Sequence, residues 1–198
     1  MAKETSNVDD LYGLILTGGQ SSRMGKDKSL LEYHAKPQSQ YLYELVKEFL
    51  PNTYLSVREN QEVNFESKVI EDKLETKGPI NGILSAMAAF PEKAWLVLAC
   101  DLPLISKETI KQLIDSRDKS KLATAYATEK TGLPEPLVAI WEYSALEALN
   151  HHHLVEEKNC PRKFLLNSDI KLIIPQDDLV LYNANDPEEY KKAKEILG

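Results

Sequence analysis

A chain of 198 residues, 42% apolar and 28% charged, has the make-up of one globular domain with a sizeable core; two full domains would be cramped. Its formal net charge of −7 and pI near 5.2 argue against a general nucleic-acid or anionic-membrane surface, so any anion site must be a local pocket. Cys100 and Cys160 are too few for a disulfide framework and form no Cys-x-x-Cys zinc pair, the N-terminus lacks an apolar signal core, and no run approaches the ~20 apolar residues of a membrane span, which together point to the cytoplasm.

In chain order, a short apolar run from Tyr12 to Leu16 empties into Gly18-Gly19-Gln20-Ser21-Ser22, followed by Arg23, Met24, Gly25, Lys26, Asp27 and Lys28. Paired glycines allow backbone torsions closed to other residues and let main-chain N–H groups converge on an anion, which the cations then neutralise. The spacing is neither a P-loop nor the dinucleotide G-x-G-x-x-G. Taken on its residues alone, the stretch reads either as a simple strand-ending turn or as a phosphate loop.

Beyond Pro37, apolar residues at helical spacing (Leu42, Leu45, Val46, Phe49, Leu50) predict an amphipathic helix over residues 39–50, closed by Pro51. Tyr54–Val57 and Lys68–Ile70 read as short strands. The segment Gly78-Pro79-Ile80-Asn81-Gly82 is expected to break the chain before a helix whose buried stripe is Ile83, Leu84, Met87 and Phe90. Trp95–Ala99 is nearly all apolar, as in a strand covered on both faces. Past Cys100-Asp101-Leu102-Pro103, Ser106 caps a helix with Ile110, Leu113 and Ile114 inward. Leu122–Ala127, Leu137–Trp141 and residues 172–174 are strand candidates, Ser144–Leu149 is a short helix, and Asp186-Pro187-Glu188-Glu189 opens a last helix. Strand and helix alternate from Tyr12 to about Arg117. That alternation predicts an α/β fold with a mostly parallel sheet between helical layers, in which ligands gather at the carboxyl ends of the strands.

Three stretches fall at such ends: the loop after Leu16, the segment after Ile70, and Cys100-Asp101 after Ala99. Asp101 is placed either as a turn aspartate or as a ligand for a hard divalent ion, and Mg2+ takes one or two carboxylates plus phosphate oxygens. His151-His152-His153 cannot all reach one ion from a helix, because consecutive residues diverge, and is left unassigned.

Leu16-x-Gly18-Gly19-x-Ser21-x-Arg23-Met24-Gly25-x-Asp27-Lys28 resembles the signature of the nucleotidyltransferases, most closely the molybdenum cofactor guanylyltransferase family (MobA-like). Val69-Ile70-x-Asp72, Gly78-Pro79-Ile80-x-Gly82-Ile83, Cys100-Asp101-x-Pro103 and Asn183-x-Asn185-x-Pro187-Glu188-Glu189 resemble further motifs of that family, in order and at compatible separations. The resemblance runs from Tyr12 to Tyr190. It implies one Rossmann-like, three-layer α/β/α nucleotidyltransferase domain over residues 1–198, Mg2+ as cofactor, and transfer of GMP from GTP to the molybdopterin (Mo) cofactor with release of pyrophosphate. By the same resemblance, Leu16, Thr17, Gly18, Gly19, Ser56, Asp72, Gly78, Pro79 and Gly82 belong to the nucleotide site. Lys28 and Arg23 belong to its phosphates and to catalysis, and Asp101 to nucleotide, metal and catalysis. Acceptor contacts fall to Arg162, Lys163, Asn183 and Asn185. Other molybdenum-cofactor biosynthesis or delivery proteins are implied as partners, and no nucleic acid or membrane.

Two departures stand out. The family's usual Gly-Lys-Pro-Leu is Ala35-Lys36-Pro37-Gln38 here, and Ser56 occupies the place of an asparagine. Competing readings are a related enzyme using CTP or another NTP with a different phosphorylated acceptor, and a nucleotide-binding module without turnover.

Overall fold

Strand β4 (Ala94–Ala99) lies at the middle of the sheet with all six residues buried, as its unbroken apolar run requires. The computed structural model describes residues 8–18, 28–76, 78–155 and 159–198, with Lys28 described by its backbone alone. The remaining strands are β1 (Leu11–Leu16), β2 (Thr53–Val57), β3 (Lys68–Glu71), β5 (Ala123–Ala127), β6 (Pro134–Trp141) and β7 (Ile170–Ile173), in the spatial order β3-β2-β1-β4-β6-β5-β7. β1, β2, β3 and β4 are mutually parallel, β6 runs antiparallel to β4 and β5, and β7 is parallel to β5.

Side-chain alternation along the strands builds two cores. Leu11, Ile15, Leu96 and Leu98 face helices α1 (Gln38–Lys47) and α3 (Lys107–Asp115), which bring Leu42, Val46, Ile110 and Leu113. Leu14, Leu16, Trp95 and Val97 face α2 (Pro79–Ala89), α4 (Ala145–Leu154) and α5 (Pro161–Leu166), which bring Ile80, Ile83, Met87, Leu149 and Phe164. The last helix, α6 (Pro187–Leu197), closes a smaller cluster of Tyr33, Ala184 and Ala193.

Both expected caps form. Ser106 accepts from the Thr109 N–H, and Asp186 accepts from the N–H groups of Glu188 and Glu189. Boundaries differ where local chemistry was ambiguous. α1 stops at Lys47 and Leu50 is held in the following turn by its N–H to Val46 O at 2.9 Å, still buried, so the apolar stripe outlasts the helix. α4 runs on through the three histidines to Leu154. α5, expected only as an acceptor-recognition segment, is a helix begun by Pro161 and anchored by Phe164 and Leu165. α2 begins at Pro79, so Ile80, Asn81 and Gly82 form its first turn rather than a loop; the break is at Gly78, whose φ of 102° is one an L side chain rarely adopts.

Candidate active site

Register brings the chemistry to one edge. Leu16 pairs with Ser56 and with Ala99, and Val57 pairs with Glu71, so the chain leaves β1, β2, β3 and β4 at one level. Gly18, Asp72 and Asp101 follow directly.

Thr17 is buried and held twice by one carbonyl: its N–H and hydroxyl donate to Ser56 O at 3.2 and 2.5 Å. The Gln61 amide donates to the same hydroxyl oxygen at 3.1 Å. The β1 exit is therefore fixed before any ligand arrives, and Gly18 stands exposed beyond it. A Cβ on Gly18 would sit 3.8 Å from Asp72 Oδ2, which places the β3 exit opposite the glycine loop. Gly19 and Arg23 lie outside the described residues, as does the Lys28 side chain; the Lys28 backbone opens a 3-10 turn to Leu30. The next residue, Ser29, has its carbonyl bound by the Ser39 hydroxyl at 2.9 Å, tying that turn to α1.

Asp72 is the more constrained carboxylate. Burial pushes its carboxyl above the usual range, while the Ser56 hydroxyl, donating to Oδ1 at 2.5 Å, and the Arg58 charge pull it back. A cleft of about 750 Å³ opens beside it, lined by Gly18, Arg58, Asp72, Leu74, Thr76, Gly78 and Asn81, within the size range of small-molecule sites. Asn81 shapes that wall. Its amide donates to the carbonyls of Leu74 (2.6 Å) and Thr76 (3.1 Å), and its oxygen accepts from Leu74 N–H at 3.1 Å.

Three expected contact residues fall behind this surface. Ser56 is 1% exposed and acts through Asp72 and Thr17. Gly82 is buried in the helix–sheet seam, where an added Cβ would meet Ser56 Oγ and Leu16 Cδ2 (2.7 Å); the glycine serves close approach of α2 to the sheet. Leu16 is 6% exposed and packs in the same seam, whereas Pro79 begins α2 at the cleft rim after Gly78.

Asp101 follows Cys100 in the turn after β4, half-buried, with its carbonyl accepting the Ala184 N–H at 2.8 Å. That bond brings the Asn183–Asn185 segment against the Asp101 backbone. The Asn185 N–H is itself capped by Glu189 Oε2 at 2.7 Å, so glutamate at this position holds the loop. From the other side, His34 Nε2 lies 2.9 Å from Pro103 O, and the buried Gln38 amide donates to Leu102 O at 3.2 Å. Gln38, which stands where the usual Gly-Lys-Pro-Leu has leucine, and His34 just before that segment thus grip the loop that carries Asp101, while Lys36 turns outward to Glu44 at 2.6 Å.

Glu135 on β6 carried no sequence signal. Burial pushes its carboxyl up, the Arg162 charge pulls it back, and Asp101 adds to the rise. Arg162 donates to Glu135 Oε2 at 2.6 Å and to Pro134 O at 3.0 Å, whereas Lys163 lines a separate cleft with Glu147, His151 and Asn167. The expected basic acceptor pair is therefore split, because adjacent helical residues point in different directions. His152 is buried edge-on to Phe164, and among the described residues no group of three or more His, Cys, Asp or Glu could hold a metal. No helix among them is long and apolar enough to cross a membrane.

A family model described as a MobA-like NTP transferase domain matches residues 13–170. The molybdenum cofactor biosynthesis bifunctional protein of Synechocystis sp. is 36% identical over 186 residues, 91% of this chain and 52% of its own length, so the chain spans about half of that relative. A probable molybdenum cofactor guanylyltransferase of Methanocaldococcus jannaschii is 28% identical over 199 residues, covering 92% of this chain and 97% of that protein. Among solved structures, molybdopterin-guanine dinucleotide biosynthesis protein A from Archaeoglobus fulgidus superposes with a TM-score of 0.76 at 23% identity, over 93% of this chain and 97% of that one, a likeness of fold.

Proposed function

Because the chain belongs to the MobA-like NTP transferase domain family, we propose that it transfers GMP from GTP to the terminal phosphate of a molybdopterin cofactor, releasing pyrophosphate. The observation that carries this reading is the alignment of Gly18, Asp72 and Asp101 at one sheet edge, where Gly18 and Asp72 line a cleft of about 750 Å³. The names of relatives that match almost the whole chain support GTP as donor and molybdopterin as acceptor.

The acceptor phosphate, with a second pKa of about 6, is a competent nucleophile without a strong protein base. One of its oxygens forms a bond to the α-phosphorus of GTP as the bond from that phosphorus to the β-phosphate bridge breaks, and the electron pair leaves with pyrophosphate. The chain's task is alignment and charge. Thr17 and Gly18 present the β1 exit to the nucleotide, Asp72 receives the nucleoside end, and Lys28 and Arg23 meet the phosphates. Asp101 is the residue that would hold Mg2+. A half-buried carboxylate with the Glu135 carboxyl within its electrostatic reach suits an ion that takes one or two carboxylates and completes its shell with phosphate oxygens and water. When bound, Mg2+ supplies charge neutralisation on the triphosphate. The acceptor is assigned to Asn183 and Asn185, in the segment bonded to the Asp101 backbone, together with Arg162.

The test is pyrophosphate release with GTP, CTP and ATP, each with Mg2+ and molybdopterin cofactor. Guanine's Watson–Crick edge offers donors to main-chain carbonyls where adenine offers an unprotonated nitrogen, and an unmet buried polar group costs ~1–3 kcal/mol. GTP should be preferred. Productive cytidylyl transfer would overturn the guanylyl assignment and leave the nucleotidyltransferase standing.

A further inference from the structure

Tyr33 lies between the 3-10 turn at Lys28 and helix α1, and is 6% exposed. Its ring packs 4.9 Å from that of Tyr190 and joins Ala184 and Ala193 in one apolar cluster. A phenylalanine would serve that packing equally. The Tyr33 hydroxyl is fully buried and has no hydrogen-bond partner among the described residues. An unmet buried hydroxyl costs the fold rather than helping it, so its presence needs another reason.

Its surroundings supply one. Ala184, against which Tyr33 packs, gives its N–H to the Asp101 carbonyl at 2.8 Å, and the next residue, His34, reaches Pro103 O at 2.9 Å. Gln38, five residues on, donates to Leu102 O at 3.2 Å. The segment carrying Tyr33 is therefore fastened along the Asp101 loop. Burial, the neighbouring Tyr190 and the Asp101 charge all push the phenol's pKa upward, so it remains a protonated donor at neutral pH and lies within the electrostatic reach of that carboxylate.

We infer that Tyr33 is a positioning residue whose hydroxyl hydrogen-bonds the Asp101 carboxylate in the metal- and nucleotide-loaded state, fixing the oxygen that faces the cation. The inference rests on the role given to Asp101 above. Carboxylates that ligate metals are commonly oriented by such outer partners, and loss of one typically weakens metal binding by 10–100-fold.

The test is Tyr33→Phe, which keeps the ring and deletes only the hydroxyl. Mn2+ is titrated into the full chain in the presence of GTP and followed by water-proton relaxation, alongside thermal unfolding of the ligand-free protein and GTP binding without metal. Expected are an unchanged or raised Tm, unchanged metal-free GTP binding, and Mn2+ affinity weakened by about tenfold or more. Mn2+ affinity indistinguishable from wild type overturns the proposal while leaving the nucleotidyltransferase reading intact. A Tm lowered by several degrees also overturns it, because the hydroxyl would then be serving the empty fold. Wild-type protein that binds no Mn2+ with GTP brings down the reading of Asp101, and this proposal with it.

Discussion

The Ser56 hydroxyl donates to Asp72 Oδ1 at 2.5 Å while the Ser56 carbonyl accepts both the N–H and the hydroxyl of Thr17, so one residue, 1% exposed, ties the exits of β1 and β3 together. Ser56→Ala removes the donor and leaves Asp72 as a buried carboxylate short of a partner. A stability loss of about 1–3 kcal/mol is expected in urea unfolding, with the Asp72 carboxyl titrating still higher by carbon NMR. An unmoved Asp72 titration would separate the two residues.

Asp72 also predicts a pH dependence. Burial raises its folded pKa above the unfolded value, against the pull of Ser56 and Arg58. The folded state therefore binds the proton more readily than the unfolded chain. The stabilisation this gives is present below the unfolded pKa and is lost as pH rises through the folded one. Asp72→Asn is fixed in the neutral form and keeps an oxygen to accept from Ser56. Its Tm should gain on that of wild type as pH rises from the unfolded carboxyl value of 3.8 through the raised folded one. Thermal scans with a constant difference over that range would rule out an elevated Asp72. In the same variant, GTP affinity should fall, because the nucleoside loses a carboxylate acceptor.

Gly82→Ala places a methyl group against Ser56 Oγ and Leu16 Cδ2 in the seam between α2 and the sheet. Overpacking of this kind costs about 1–3 kcal/mol. Because the displaced atom is the Ser56 hydroxyl, GTP affinity should fall along with stability although Gly82 lines no part of the cleft. Loss of stability with unaltered GTP binding would show that the seam and the cleft are independent.

Asp101→Ala should abolish pyrophosphate release, since losing a metal carboxylate costs several kcal/mol of transition-state stabilisation. The fold should survive, because the bond from Ala184 N–H goes to the Asp101 main-chain carbonyl and is kept by alanine. Near-normal turnover with Mg2+ would remove Asp101 from the metal site.

The sheet was legible because its central strands, Leu11–Leu16 and Ala94–Ala99, are apolar runs bounded by glycine, proline or charge, and periodicity reads such runs directly. The candidate edge was legible for the same reason, since Asp72 and Asp101 follow strand ends. What escaped was set by tertiary contact. Nothing in Gln38 or His34 announces a grip on a loop more than sixty residues away, and Gly82 reads as a loop glycine until the Ser56 hydroxyl is seen against it. Glu135 sits in a strand that the apolar pattern begins only at Leu137, because Pro134 and Pro136 hide its first residues. Arg162 and Lys163 looked equivalent in sequence, and only the helix beneath them sends one to Glu135 and the other to a different cleft.

At the opposite end of the sheet, Arg117 donates bidentately to Glu142 at 2.7 Å through Nε and Nη2, and to Asp10 Oδ1 at 2.8 Å through Nη1. The side chains of Arg117 and Glu142 are 0% and 1% exposed, so this is a buried ion pair joining the entrance of β1, the segment after α3 and the end of β6. Arg117→Met leaves the Glu142 charge buried without its partner and should cost about 3–5 kcal/mol, whereas Arg117→Met with Glu142→Leu should recover much of that loss. Urea unfolding of the single and double variants measures both. Asp10 adds an acid limb. Burial opposes its ionisation, yet hydrogen bonds and charges from Arg117 and Lys119 prevail and hold its pKa at about 2. A depressed folded pKa means stability that is present above the unfolded value near 3.8 and is lost as pH falls towards about 2. In Asp10→Asn that part of the acid-induced loss should disappear. GTP binding should be unchanged in all these variants that remain folded, because the pair lies at the amino end of β1 and the candidate site at its carboxyl end. A double variant as unstable as Arg117→Met alone would show that packing around Arg117, rather than the stranded Glu142 charge, sets the cost.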